Sequence, residues 1–461
     1  MPSTRPTRRA ALAGLGAVVA GLAGCPSRPT GDPDPAIDAP DVAPVGDDLG
    51  LRIHGLDPAS TVTLRAATLV GQDRFGSYAT FEADADGAVD LAEDAPTAGT
   101  YDGVAPMGPV WSMRPREGLP AAERLAKPEG ASDGETVFRA SVDGEHVAST
   151  RVRRRVAPPS VEQVDSPDGL VGRAYLPDTE EPSPGVLVLH GGGPGRAMDR
   201  PARQLAACGF AAFALRYVGP GAAIPSRPRT IPLSYFGRGI EWLTGLDGVV
   251  DGAVGTVGWS LGGQLALLLG ARRDDVGAVV SYNGSSFVTH FATFGASPWA
   301  VDGEPLPYLP VDVAEHGEHR PVGGDGVRAF HTRPAYEAAF SEADEVTLEP
   351  TRIPVERVDG PVLYVAGADD AVLPADEAGR RVVDRLDDAD HPHRYDALVY
   401  EDAGHRIGFP YRPTTGRAVA RQPKGNRAFG GTPAGYARAE ADSWETVQSY
   451  LRAGLGGGQS A

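Results

Sequence analysis

The alternation of apolar and polar positions changes its period once along the chain, near Pro158-Pro159. From about Leu51 to Val156, runs such as Thr61-Val-Thr-Leu-Arg65, Tyr78 to Phe81 and Val137 to Val142 alternate apolar with polar residues. That period of two is the mark of half-buried strands. Asp86-Gly87 and Asp143-Gly144 stand between such runs and predict hairpin turns. No helical stretch is evident, so residues 49–157 read as a β-sandwich.

Beyond Pro159, short apolar runs alternate with helical patterns. Strands are expected at Gly185–Leu189, Ala211–Leu215, Ala253–Val257, Gly277–Ser281, Pro361–Ala366 and Ala397–Glu401. Helices are expected near Asp199–Cys208, Leu233–Leu246, Leu261–Ala271, Ala375–Leu386 and Ala434–Leu451. Uninterrupted apolar strands between helices predict a parallel α/β sheet covered on both faces, spanning residues 160–456. The stretch from Gly284 to Pro354 has no clear period and is expected to cap the site. There is no internal repeat.

The first 25 residues follow different rules. Arg5, Arg8 and Arg9 precede an uncharged run from Ala10 to Gly24, closed by Leu22-Ala-Gly-Cys25. Such a run falls short of the ~20 residues that span a bilayer, but it suits a signal sequence. Arg8-Arg9 resembles a twin-arginine signal, and Leu-Ala-Gly-Cys resembles a lipobox whose Cys25 is lipidated. The expected location is the outer face of the cell membrane, held by that lipid alone. Residues 26–48, rich in Pro, Asp and Gly, read as a flexible tether.

The chain has 461 residues and a net charge of -18, which argues against a nucleic-acid partner. Lys127 and Lys424 are its two lysines. An Asp-rich, Lys-poor surface suggests work in concentrated salt. Cys208, on an apolar helix face, is left without an intrachain partner once Cys25 is assigned to the signal, so no disulfide framework is expected.

Gly258-Trp-Ser260-Leu-Gly262 fits G-x-S-x-G, directly after an apolar strand and before a helix. A sharp strand-to-helix turn leaves no room for Cβ atoms at the flanking positions and lifts the serine above the sheet edge. A serine nucleophile needs a base, and the base an orienting carboxylate. Asp370, in Gly367-Ala-Asp-Asp-Ala-Val-Leu-Pro374, follows one predicted strand, and His405, in Asp402-Ala-Gly-His405, follows the next. Asp369 competes with Asp370; the spacing from Gly367 favours Asp370. His190-Gly-Gly-Gly193 ends the first long strand, so the backbone N–H groups of Gly192, Gly193 and Leu261 are candidate oxyanion donors. A dinucleotide loop is rejected there, because Arg196 stands where the last glycine would be. His316 and His319 lie in the irregular stretch with no third ligand in register, so no metal is expected.

Unusual, collinear segments add to this. Val62-Thr-Leu-Arg65, Tyr101-Asp-Gly-Val-Ala-Pro-Met-Gly-Pro-Val-Trp-Ser-Met113, Asn283-Gly-Ser285, Ile353-Pro-Val-Glu-Arg357, Gly404-His405, Pro410-Tyr411 and Gly430-Gly-Thr-Pro433 together resemble the acyl-CoA thioester hydrolase and bile acid-CoA:amino acid N-acyltransferase family. The resemblance runs from about Leu51 to Leu455. It implies an α/β-hydrolase fold with a dienelactone-hydrolase-like core behind an Ig-like sandwich. It also implies a triad of Ser260, Asp370 and His405, a small-molecule acyl thioester substrate and no cofactor. Conjugating members of that family carry cysteine at the nucleophile, so Ser260 implies its hydrolytic branch. Leu261 and Gln264 replace residues often charged in animal members. Two alternatives stand beside thioester hydrolysis: a carboxylic-ester hydrolase of dienelactone-hydrolase type, and a non-catalytic binding lipoprotein.

Overall fold

The computed structural model describes residues 34–70, 73–120, 134–193, 198–220, 224–290, 295–322, 327–422 and 425–456. The export signal, with Cys25, lies outside the described residues.

Residues 36–155 form two sheets over one core. A seven-stranded sheet runs Val42–Pro44, Glu145–Arg155, Glu135–Val142, Thr61–Val70, Asp73–Glu82, Ala98–Gly99, with Arg114–Pro115 also pairing to Asp73–Glu82. A three-stranded sheet holds Ala36–Asp38, Arg52–His54 and Val89–Asp90. The period-two pattern has its expected cause: Val62, Leu64 and Ala66 point inward, while Thr63 pairs outside with Thr80 across the strands at 3.1 Å. Ile37, Ile53 and Val89 from one sheet meet Val62, Phe81 and Phe138 from the other. One turn of helix, Gly108–Trp111, interrupts the strands.

Two expectations are corrected here. Residues 36–44 were expected in the flexible tether, but they pair with Arg52–His54 and with Arg153–Arg155. Their isolated apolar positions, Ile37 and Ala43, are buried in the sandwich, which a Pro- and Asp-rich composition conceals. Asp143-Gly144 joins two paired strands, with φ of 50° and 84° as a mirror-image turn requires. Asp86-Gly87 does not make a hairpin. It carries the chain from the larger sheet to the smaller, and the Leu56 N–H donates to the Gly87 carbonyl at 3.0 Å.

The second half contains an eight-stranded sheet: β1 (Glu162–Asp165), β2 (Gly172–Leu176), β3 (Gly185–Leu189), β4 (Ala211–Leu215), β5 (Val254–Trp259), β6 (Val276–Tyr282), β7 (Val362–Gly367) and β8 (Tyr395–Tyr400). Their order is β1-β2-β4-β3-β5-β6-β7-β8, with β2 antiparallel to both its neighbours and every other pairing parallel. This is the α/β-hydrolase fold. Neither β1 nor β2 is among the strands expected from the sequence, since β1 is largely exposed and the apolar run of β2 is only three residues, Ala174-Tyr-Leu176.

Successive residues of each central strand feed opposite faces. Leu187 and Leu189, with Phe213 and Leu215, pack under α2 (Ser234–Thr244), α3 (Leu261–Gly270) and α4 (Ala375–Asp388). Val186 and Val188, with Ala212 and Ala214, pack under α1 (Asp199–Ala207) and α5 (Pro433–Gly454). Burial on both faces explains why these strands read as continuous apolar runs. Cys208, just after α1, is free and half-buried, and burial pushes its thiol up to about 11, so it stays protonated at neutral pH.

The stretch from Gly284 to Pro354 holds more regular structure than its sequence suggests. Trp299–Val301 pairs with Glu304–Pro305, Glu318–Val322 pairs with Val327–His331, and Arg333–Glu342 is helical. Elements this short leave no readable period. Trp299 is fully buried against Tyr217 and Phe236, and its indole N–H donates to Gln264 Oε1 at 2.9 Å, one turn into α3.

Candidate active site

Ser260 sits between β5 and α3 with φ 56° and ψ -119°. A residue with a side chain is held there at a cost of about 1–3 kcal/mol only because the surroundings fix it. Those surroundings are glycine on either side. A Cβ on Gly258 would overlap the Gly262 carbonyl, and one on Gly262 would lie 2.5 Å from the carbonyl oxygens of Leu189 and His190. The Ser260 N–H donates to the Tyr282 carbonyl at 2.8 Å, which pins the turn to β6.

His405 follows β8 and reaches Ser260. Its Nε2 lies 2.9 Å from Ser260 Oγ and its Nδ1 lies 2.7 Å from Asp370 Oδ2. A carboxylate only accepts, so Nδ1 carries the proton and Nε2 is left to accept from the serine. The Asp370 side chain is fully buried, and its Oδ1 accepts from the N–H groups of Val372 at 2.7 Å and Leu373 at 3.2 Å. Asp369 points elsewhere: it is exposed, and its Oδ2 accepts from Gly431 N–H at 2.8 Å. Asn283 links the strand ends that carry Asp370 and His405. Its Oδ1 accepts from Gly367 N–H at 2.9 Å and its Nδ2 donates to the Gly404 carbonyl at 3.4 Å.

The glycine loop after β3 lies against the serine, for a Cβ on Gly191 would come 3.4 Å from Ser260 Cβ. His190 orients that loop. Its Nε2 accepts from Tyr217 N–H at 3.2 Å, so its Nδ1 carries the proton and donates to the Gly191 carbonyl at 2.6 Å. Because the peptide is planar and trans, this turns the Gly192 N–H to the opposite side. The imidazole is stacked on Tyr217 at 3.9 Å, and burial, with a smaller push from Arg216, lowers its pKa to about 4. It is neutral at any pH where the serine could react. Gly192 is buried and Gly193 exposed. The Leu261 N–H opens α3, where first-turn donors have no acceptor within their own helix. His316 and His319 stay apart from all this: His316 closes a one-turn helix, and His319 packs on Phe330.

Four side chains that the sequence reading did not single out hold the backbone after His405. Arg406 N–H donates to Tyr436 Oη at 3.3 Å, and the Arg406 carbonyl accepts from Arg417 at 3.1 Å. The Ile407 carbonyl accepts from the Trp259 indole at 3.0 Å, and Gly408 N–H donates to Glu440 at 2.8 Å. Arg417 and Glu440 form a buried, two-pronged ion pair. One signal was present: Glu440 shares a helix face with Tyr436, Ser443 and Trp444, and an acid among such neighbours needs a partner. Next to His405 in the chain, the Arg406 guanidinium stands 3.5 Å over the Phe429 ring. From Ala403 to Ala439 the chain carries seven Arg or Lys residues and no Asp or Glu, against an average density of acids that would place about five there.

Two family models match the chain. The one described as BAAT / acyl-CoA thioester hydrolase C terminal covers residues 231–457, and the acyl-CoA thioester hydrolase/BAAT N-terminal region covers residues 47–166. Acyl-coenzyme A thioesterase 1 of Rattus norvegicus is 29% identical over 415 residues, 89% of this chain and 94% of that protein. Bile acid-CoA:amino acid N-acyltransferase of Mus musculus is 28% identical over 422 residues, 88% of this chain and 94% of that protein. Among solved structures, acylaminoacyl peptidase of Pyrococcus horikoshii aligns with a TM-score of 0.40 at 12% identity, over 86% of this chain and 56% of that one.

Proposed function

Because the chain belongs to the acyl-CoA thioester hydrolase/BAAT family and is a hydrolase of thioester or ester bonds, we propose that it cleaves acyl thioesters with Ser260 as nucleophile, His405 as general base and Asp370 as its orienting acid. The observation that carries this reading is the unbroken hydrogen-bonded chain Ser260–His405–Asp370, at 2.9 and 2.7 Å.

In the proposed reaction Ser260 Oγ attacks the thioester carbonyl carbon as its proton passes to His405 Nε2. Asp370 stabilises the imidazolium without taking the proton. The oxyanion is received by backbone N–H groups of Gly192, Gly193 and Leu261, donors of a kind each worth ~3 kcal/mol elsewhere. Collapse breaks the C–S bond, and the thiolate leaves with the proton from Nε2. Water, deprotonated by the same nitrogen, then attacks the acyl-enzyme and releases the carboxylic acid.

A thioester of an anionic carrier is favoured over a neutral ester by charge. A chain at -18 repels anions, yet the segment that follows the base is locally basic. Coenzyme A, with its phosphates, fits such a field. From the sequence signals at Arg8-Arg9 and Cys25 we further propose export and lipid anchoring.

The test is labelling by a fluorophosphonate followed by a panel of acyl-CoAs and p-nitrophenyl esters. Labelling at Ser260 and turnover of the CoA thioesters are expected, and Ser260→Ala should lose on the order of 10⁴-fold in kcat while remaining folded. A Ser260→Ala protein retaining more than about a tenth of the activity removes the serine from the mechanism. Turnover of the oxygen esters alone would replace the thioester reading with the ester one.

A further inference from the structure

We propose that the N-terminal β-sandwich is a positioning platform for the loop that carries His405, so that it sets the geometry of the base as well as adding mass to the fold. This rests on His405 being the base. The loop leaves the active site at His405 and runs directly onto the sandwich. Tyr411 N–H donates to the Val45 carbonyl at 2.8 Å. Arg154, from the strand Glu145–Arg155, donates to both the Val45 and Tyr411 carbonyls at 2.8 Å and clamps the two chains together. Thr414 N–H donates to the Trp111 carbonyl at 3.0 Å, and its hydroxyl reaches Trp111 O and Pro433 O. The Thr415 hydroxyl donates to the Met113 carbonyl.

A second connection runs through α5. Ala437, on that helix, is buried in the sandwich core. Its neighbours on the helix, Tyr436 and Glu440, are the two side chains that hold the Arg406 and Gly408 N–H groups. The sandwich thus grips both the far end of the histidine loop and the helix that holds its near end. Burial lowers the Arg154 guanidinium to about 10, which still leaves it charged at neutral pH, so the clamp is a charge-assisted one.

The Ser260–His405 bond joins elements 145 positions apart in the chain, so its length depends on how the loop is held. A misplacement of about 1 Å costs on the order of 10²-fold in rate. None of the sandwich residues named here hydrogen-bonds to Ser260; they act through the loop.

The experiment compares full-length variants by the rate of Ser260 labelling with a fluorophosphonate between pH 5 and 9, by kcat and KM on the best thioester, and by melting temperature. Thr415→Val and Arg154→Met should label at least about 10-fold more slowly, with kcat falling and KM moving less than about 3-fold. Thr415→Ser, which keeps the hydroxyl, should restore the rate. Val62→Ala, in the sandwich core on a strand that makes none of these bonds, is the control for lost stability and should label at the wild-type rate. Seam variants that label like the wild type overturn the proposal. So does a Val62→Ala protein that slows labelling as much as they do for the same fall in melting temperature. A wild-type protein that does not label at Ser260 overturns the triad reading itself, a separate outcome.

Discussion

Asp369 and Asp370 are neighbours of identical chemistry, and the fold gives them opposite surroundings. Asp370 is sealed against His405 with two backbone donors on its other oxygen, whereas Asp369 faces solvent and holds Gly431. Asp370→Asn should therefore disturb the imidazole tautomer and cost about 10⁴-fold in kcat. Asp369→Asn keeps an acceptor for Gly431 and should change kcat by less than about 3-fold, since exposed positions away from such networks tolerate change. Steady-state kinetics on both variants decides the register. That Ser260, Asp370 and His405 would meet was legible because each stands at a strand end with turn glycines nearby. His190 was legible as a loop residue only, because its role depends on Tyr217, 27 positions away. It yields its own prediction. Its folded pKa, about 4, lies below the ordinary ~6.5, so the neutral ring is stabilising above pH 6.5 and that stability is lost as pH falls toward 4. The difference corresponds to roughly 3 kcal/mol. Urea denaturation from pH 7 to 4 should show wild-type protein losing about that much more than His190→Asn.

The serine turn and the histidine loop are separate elements, and their relation depends on side chains that cross between them. The Trp259 indole bonds the loop directly, and Arg417 with Glu440 holds it from α5. Arg417→Met leaves the Glu440 carboxylate buried without its partner and should cost about 3–5 kcal/mol by chemical denaturation. It should also lower kcat, since the Arg406 carbonyl loses its donor. At this scale the parallel strands were legible because both faces are buried, and their apolar runs admit little else. The first two strands of the sheet were not: β1 is an exposed, charged edge, and the apolar run of β2 is only Ala174-Tyr-Leu176. Asp143-Gly144 and Asp86-Gly87 show a second limit. An Asp-Gly pair announces a backbone that can take positive φ, but it does not say which sheet the chain enters next.

Over the whole molecule, charge pulls in two directions. Carboxylates that dominate a net of -18 repel across a Debye length of ~30 Å at 0.01 M salt but only ~3 Å at 1 M. Melting temperature should rise steeply from dilute buffer to molar KCl; full stability in dilute buffer would sink the salt-adapted reading. The basic segment after His405 is screened by the same salt, so on the proposed function KM for a CoA thioester should rise as the melting temperature does. The export proposal predicts membrane-bound wild-type protein on fractionation, and Cys25→Ser protein released or left as precursor. Wild-type protein found wholly in the cytosol would refute it. A chain bound for export through a twin-arginine route would fold while still among the cell's own thioesters. The seam bonds matter here, because they join Trp111 and Met113 to residues about 300 positions later. At about 5–20 residues per second, the ribosome finishes the sandwich long before it makes the loop that docks on it. Nascent and truncated chains therefore carry Ser260 without a seated His405. On the proposed triad, hydrolytic activity would therefore wait until the loop after His405 docks on a sandwich already made.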